Sequence, residues 1–199
     1  MKIALGSKIV DGAWGGGNNF IKNLSHFLKK NNCEVFFDLN NKDLDLILLT
    51  DPRAQSSTST FDHFDIFNYL NNKPDTIVAH RINECDERKN TKNVNKQILE
   101  GNYFCDYTIF ISTWLKELFT KIKNIENYKV ILNGANQEIF NFDSKIYDGK
   151  TPFKIVTHHW SNHINKGFEI YQKIDDRLDN HDFKKEVSFT IIGNTPKSL

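Results

Sequence analysis

The sequence predicts an α/β protein: a doubly wound parallel-sheet domain, followed by the opening of a second domain of the same kind. Three observations predict it. Short apolar runs alternate with amphipathic runs from the first residues onward, the apolar runs lack a polar face, and the alternation stops in a polar stretch at 141–152 and then restarts. Strands buried on both faces belong to parallel sheets, and amphipathic helices are what covers such sheets.

The elements follow in order. "KIAL" (2–5) reads as a buried strand. "NNFIKNLSHFLKK" (18–30) places Phe20, Leu24, Phe27 and Leu28 on one helical face, so the first helix is expected to begin at Asn18 or Asn19. "CEVFFDL" (33–39) and "LDLILLT" (44–50) are strands, "FDHFDIFNYL" (61–70) a helix, "DTIVAHRI" (75–82) a strand, and "TKNVNKQILEGNYF" (91–104) a helix. "YTIFIS" (107–112) is a strand whose Ser112 can cap the helix "TWLKELFTKI", and "YKVILN" (128–133) is a further strand. These place a first domain at 1–140 and a linker at 141–152, where Gly149 and Pro152 sit. From 153 to 199, "FKIVTHH", "KGFEIYQKIDDRL" and "VSFTIIGN" form one βαβ unit, expected to be the incomplete beginning of a second Rossmann-like domain.

Composition narrows the function. With 39% hydrophobic and 26% charged residues the chain is globular, and a net charge of +1 provides no global attraction to nucleic acid or anionic lipid. Three scattered cysteines without a CxxC pair argue against a disulfide framework and fit a reducing compartment. The N-terminus has no signal-peptide pattern and no run reaches the roughly 20 apolar residues of a membrane helix, so a cytoplasmic location is expected. The stretch "TWLKELFTKIKN" (113–124), with Lys116, Lys121 and Lys123, could lie on an anionic membrane as a peripheral contact, or pack its apolar stripe on the sheet.

Ligands of open parallel sheets bind outside the carboxyl ends of the strands, so the segments after the strands are the places to search. After the first strand comes "DGAWGGGNNF", with Gly15, Gly16 and Gly17 before a helix whose free N–H groups would face an anion. It matches neither GxGxxG nor GxxxxGK[ST], and a phosphate cradle and a plain surface loop both remain open. After the fourth strand, "HRINECDER" holds His80, Arg81, Glu84, Asp86, Glu87 and Arg88, opposed charges that could surround a polar ligand. After the first strand of the second unit, Lys166 and Gly167 open a helix, bringing a cation and a helix N-terminus together as a diphosphate site. His158, His159 and His163 match no zinc spacing, and no metal is expected. "VILNGANQEIF" contains the turn dipeptide Asn133–Gly134.

Taken in order, "GGGNNF", "HRINECDER", "DYTIFISTWLKELF", "VILNGANQEIF" and "HHWSNHINKGFEIY" resemble glycosyltransferase family 4, whose members have the GT-B fold of two facing Rossmann-like domains. The resemblance spans nearly the whole chain. It implies transfer of a sugar, with retention, from a nucleotide-diphosphate sugar to a glycan or lipid-linked acceptor, with no cofactor and no metal. By position, Gly16 and Gly17 would lie near the donor diphosphate, and His80 would face the transferred sugar or the acceptor. Arg81, Asp86 and Arg88 would lie on the acceptor side. Asn133 and Gly134 would line the interdomain crossover. Lys166, with Gly167, would hold the diphosphate and offset charge on the leaving group. Ser161 stands where the family usually has a phosphate-binding Arg, Gln137 stands near the family's Asp, and the family's Glu-x7-Glu segment would fall beyond residue 199. Two other readings are a nicotinamide-type dinucleotide protein, with Asp38 at the ribose, and a non-catalytic sugar- or nucleotide-binding remnant.

Overall fold

The computed structural model describes residues 1–12, 14–53, 57–140, 149–150, 152–159, 162 and 166–195. The chain divides into two compact units, Met1–Gly134 and Ala135–Leu199.

The first unit is an α/β layer structure. Its strands are β1 (Lys2–Leu5), β2 (Glu34–Phe36), β3 (Leu46–Leu49), β4 (Ile77–Ile82), β5 (Tyr107–Phe110) and β6 (Tyr128–Val130). All neighbours pair in parallel, in the order β2-β1-β3-β4-β5-β6. The chain runs outward from β1 to β2, then crosses back past β1 to β3 and continues the other way. The order therefore reverses between β1 and β3, which makes their carboxyl ends the topological switch point.

The helices are α1 (Gly16–Lys30), α2 (His63–Leu70), α3 (Asp86–Lys89), α4 (Val94–Gly101) and α5 (Thr113–Ile122), with a 3-10 turn at Asn102–Phe104 extending α4. Because side chains alternate along a strand, each strand feeds two cores. Ile3, Leu5, Leu48 and Ala79 pack against Ile21 of α1, while Ala4, Ile47, Leu49 and Val78 pack with Phe61 and Ile66 of α2 on the opposite face. Ile82 and Phe110 join Val94 and Ile98 of α4 and Leu115 and Phe119 of α5. The apolar stripe of α5 thus lies on the sheet, and Ser112 Oγ accepts a hydrogen bond from the Leu115 amide as the N-cap. Among the described residues no helix is long and apolar enough to cross a membrane.

Local boundaries differ from the sequence reading in one consequential place. The helix α1 begins at Gly16, not at Asn18 or Asn19, so Gly16 and Gly17 form its first turn and Gly15 is its N-cap. Glycine's poor helix propensity hides this start from a pattern based on apolar spacing.

The second unit holds β7 (Phe153–His159) and β8 (Val187–Gly193), paired in parallel from Phe153↔Val187 to His159↔Gly193. Between them lie α6 (Phe168–Leu178) and α7 (His181–Glu186), the latter short, polar and capped by Asn180, and not anticipated from the sequence. Most of the linker, 141–148, lies outside the described residues.

Candidate functional site

A cleft of about 220 Å³ opens at the switch point of the first unit. Ser7 and Lys8 enter it from the end of β1, Thr50, Asp51, Pro52 and Arg53 from the end of β3, and His80, Arg81, Asn83 and Glu84 from β4 and its continuation. The start of α1 closes one side with Gly15, Gly17, Asn18 and Phe20, beside Trp14.

Hydrogen bonds lock the two sides of the switch point together. The Gly6 amide donates to Leu48 O at 2.9 Å, Thr50 Oγ1 donates to Gly6 O at 2.6 Å, and the Ser7 and Thr50 hydroxyls lie 2.7 Å apart. Gly6 is required here by space: a Cβ would stand 2.9 Å from the Phe61 ring and 3.1 Å from Leu48 O. Further along the loop, Asn18 Oδ1 accepts from the Val10 amide at 2.9 Å while Asn18 Nδ2 donates to Val10 O at 2.8 Å. That pair of hydrogen bonds holds Val10 of the β1–α1 loop against the helix that follows it. The segment is an anchored connection rather than a free spacer. No side chain caps the α1 N-terminus and no acid occupies its first turn, and Cβ atoms added at Gly16 or Gly17 would meet open space. The amide end of the helix is thus open and electropositive.

The charged side chains fall into two groups. Arg53 embraces Asp51 with Nε at 2.8 Å from Oδ1 and Nη2 at 2.7 Å from Oδ2, and this bond raises the Arg53 pKa. The pair is a bidentate fork that neutralises its own charge. Arg81 is different. It is 5% exposed, its guanidinium carbon lies 3.8 Å over the Phe20 ring, and Nη2 donates to Asn133 Oδ1 at 2.9 Å. Burial lowers its pKa to about 10, so it stays charged at neutral pH.

His80 is 1% exposed, on the opposite face of β4 from Arg81, where Nδ1 lies 3.4 Å from Asn102 Nδ2. Asn102 Nδ2 also donates to Thr108 Oγ1 at 2.8 Å. Burial brings the His80 pKa down to about 3. The imidazole is neutral at pH 7, able to accept or donate one hydrogen bond but not to act as an imidazolium.

The other candidate residues are placed as follows. Asn133 joins Arg81 across 52 residues of sequence, and exposed Gly134 ends the first unit. Asp86 does not line the cleft: its carboxylate accepts from Thr91 Oγ1 at 2.6 Å and from the Val94 and Asn95 amides at 2.9 and 3.0 Å, which caps α4. Exposed Arg88 is likewise outside the cleft and donates through Nη1 to Asn83 O at 2.6 Å. Asp38 is exposed, turns its Oδ1 to the Asn40 amide at 2.9 Å, and does not reach the cleft.

In the second unit, exposed Lys166 precedes Gly167, the N-cap of α6, whose φ of 85° is readily adopted only by glycine. No side chain caps this helix either. Below it, His159 Nε2 lies 2.9 Å from Tyr171 Oη, and Thr157 Oγ1 lies 3.0 Å from the same hydroxyl. His158 and His159 are consecutive in β7 and so face opposite sides of it. Ser161 and His163 lie outside the described residues. Among the described residues no group of three His, Cys, Asp or Glu side chains could hold a metal ion.

Sequence reasoning missed Thr50, Asp51 and Arg53. The signal was present as "TDPR" directly after an apolar strand. Only the strand order shows that this strand borders the switch point. No protein-family model matches the chain, and no curated protein matches it in sequence.

Proposed function

We propose that the chain is a glycosyltransferase of the GT-B kind, which takes a nucleotide-diphosphate sugar as donor and transfers the sugar with retention to a glycan or lipid-linked acceptor, without a cofactor or metal. The observation that carries this reading is the cleft at the switch point, which the open amide end of α1 and the buried Arg81 both line. A polar, hydroxyl-rich ligand with an anionic group suits that lining. The order of the matching segments along the chain supports the same class.

The chemistry assigns a part to each group. The open amides at Gly16 and Gly17 suit a phosphate oxygen. Lys166, ahead of the uncapped end of α6, suits the diphosphate and offsets the negative charge that develops on the leaving group. Neutral His80 suits a sugar hydroxyl, because an uncharged imidazole polarises it without a formal charge in the cleft. A nicotinamide dinucleotide is less suited, because Asp38, its expected ribose ligand, does not line the cleft.

Saturation-transfer NMR on the 199-residue chain tests the reading with UDP- and GDP-sugars against NAD. Transfer to a nucleotide sugar but not to NAD is expected. Transfer to NAD alone would refute it.

A further inference from the structure

Arg81 is a buried cation without an anion. It is 5% exposed and lines the cleft, and among the described residues no carboxylate pairs with it. Of the two acids that line the cleft, Asp51 is held in a bidentate fork by Arg53 and Glu84 accepts through Oε1 from the Cys85 amide. A guanidinium has five N–H donors. One of those on Arg81 goes to Asn133 Oδ1, and the flat face rests on Phe20. Both contacts orient the group, and neither neutralises it. A buried charge without a counter-ion is costly, and a planar fork at a cleft wall matches the two oxygens of a carboxylate or phosphate. The same cleft also receives the uncapped, acid-free end of α1.

We propose that the cleft contains an oxyanion subsite, in which Arg81, oriented by Phe20 and Asn133, grips a phosphate or carboxylate beside the amides of Gly16 and Gly17. This deepens the sugar-transfer reading and rests on it only for the identity of the ligand: the oxyanion belongs either to the donor diphosphate or to a charged acceptor, such as a uronic acid or a sugar phosphate.

The test titrates inorganic phosphate into the full chain at low ionic strength, following the amide signals of Gly16 and Gly17 and the Arg81 Nε–H signal by 15N NMR. Saturable shifts at these three positions are expected, and Arg81→Met should weaken binding at least tenfold. Shifts spread over surface lysines without saturation, or unchanged affinity in Arg81→Met, would overturn the proposal. If Arg81→Met does not fold, Gly17→Asp decides. Its side chain has open space, an acid in the first turn favours the helix, and its charge should abolish phosphate binding; retained binding would overturn the proposal.

Two further arms identify the source. Displacement of phosphate by UDP assigns the subsite to the donor, whereas glucuronate that displaces phosphate while UDP remains bound assigns it to the acceptor. Either supports the subsite. Binding of nucleotide sugars with no anion at Arg81 would remove the subsite and leave the sugar-transfer reading standing. Phosphate at Arg81 with no nucleotide-sugar binding anywhere would do the reverse.

Discussion

Asn18 and Val10 exchange two hydrogen bonds, at 2.9 and 2.8 Å, and so tie the loop after β1 to the first turns of the helix that follows. Asn18 is 6% exposed, and both bonds are partly buried. Replacing it by Ala leaves the Val10 amide and carbonyl without these partners. Asn18→Ala should therefore cost about 1–3 kcal/mol. Urea denaturation measures the loss, and hydrogen exchange should show faster exchange of the Val10 amide than in the parent.

Gly6 stands where β1 leaves the sheet, against the ring of Phe61. A methyl group at 2.9 Å from that ring and 3.1 Å from Leu48 O forces one of them to move. Gly6→Ala should destabilise by about 1–3 kcal/mol. Adding Phe61→Leu should recover part of the loss, so a double-mutant cycle should give a coupling that is absent if the loop simply shifts aside.

His80 makes stability depend on pH. Its pKa is about 3 in the folded protein against 6.5 ordinarily, so between those values the unfolded chain binds a proton that the folded chain does not. Unfolding free energy then rises with pH. The contribution is fully present above pH 6.5 and is lost progressively as pH falls toward 3, up to about 5 kcal/mol at the limit. Urea midpoints at pH 7, 5.5 and 4.5 should fall more steeply for the parent than for His80→Gln. An imidazole 15N spectrum that shows His80 charged at pH 5.5 would contradict this.

Asp86 caps α4 and is not among the residues of the cleft. Asp86→Ala should lower the denaturation midpoint, yet leave affinity for phosphate and for nucleotide sugars unchanged. A selective loss of ligand affinity at unchanged stability would return Asp86 to the acceptor side.

Lys166 is exposed ahead of the uncapped end of α6, with no ion pair among the described residues. Lys166→Ala should leave the melting temperature unchanged and weaken binding of UDP or GDP at least tenfold, as read by calorimetry. Equal affinity in the two proteins would remove Lys166 from the diphosphate site.

The sequence by itself determined the succession of strands and of the longer helices, though not the short α3 and α7, because that information is local. A run such as "LILL" suits a covered parallel sheet, and the apolar stripe of α5 and its Ser112 cap are set by neighbours within a few residues. It also marked the segments after the strands, "GGGNNF" and "HRINECDER", as the places to search. Only the tertiary structure decided which of those residues meet. The order β2-β1-β3-β4-β5-β6 is a choice of distant partners, and it brought "TDPR" to the switch point. The same choice joined Arg81 to Asn133, and local folding turned Asp86 to the end of α4. A charged residue has no periodicity that reveals its partner. Whether it faces solvent, caps a helix or waits buried for an anion depends on which elements pack around it, and that is settled by long-range burial rather than by spacing along the chain.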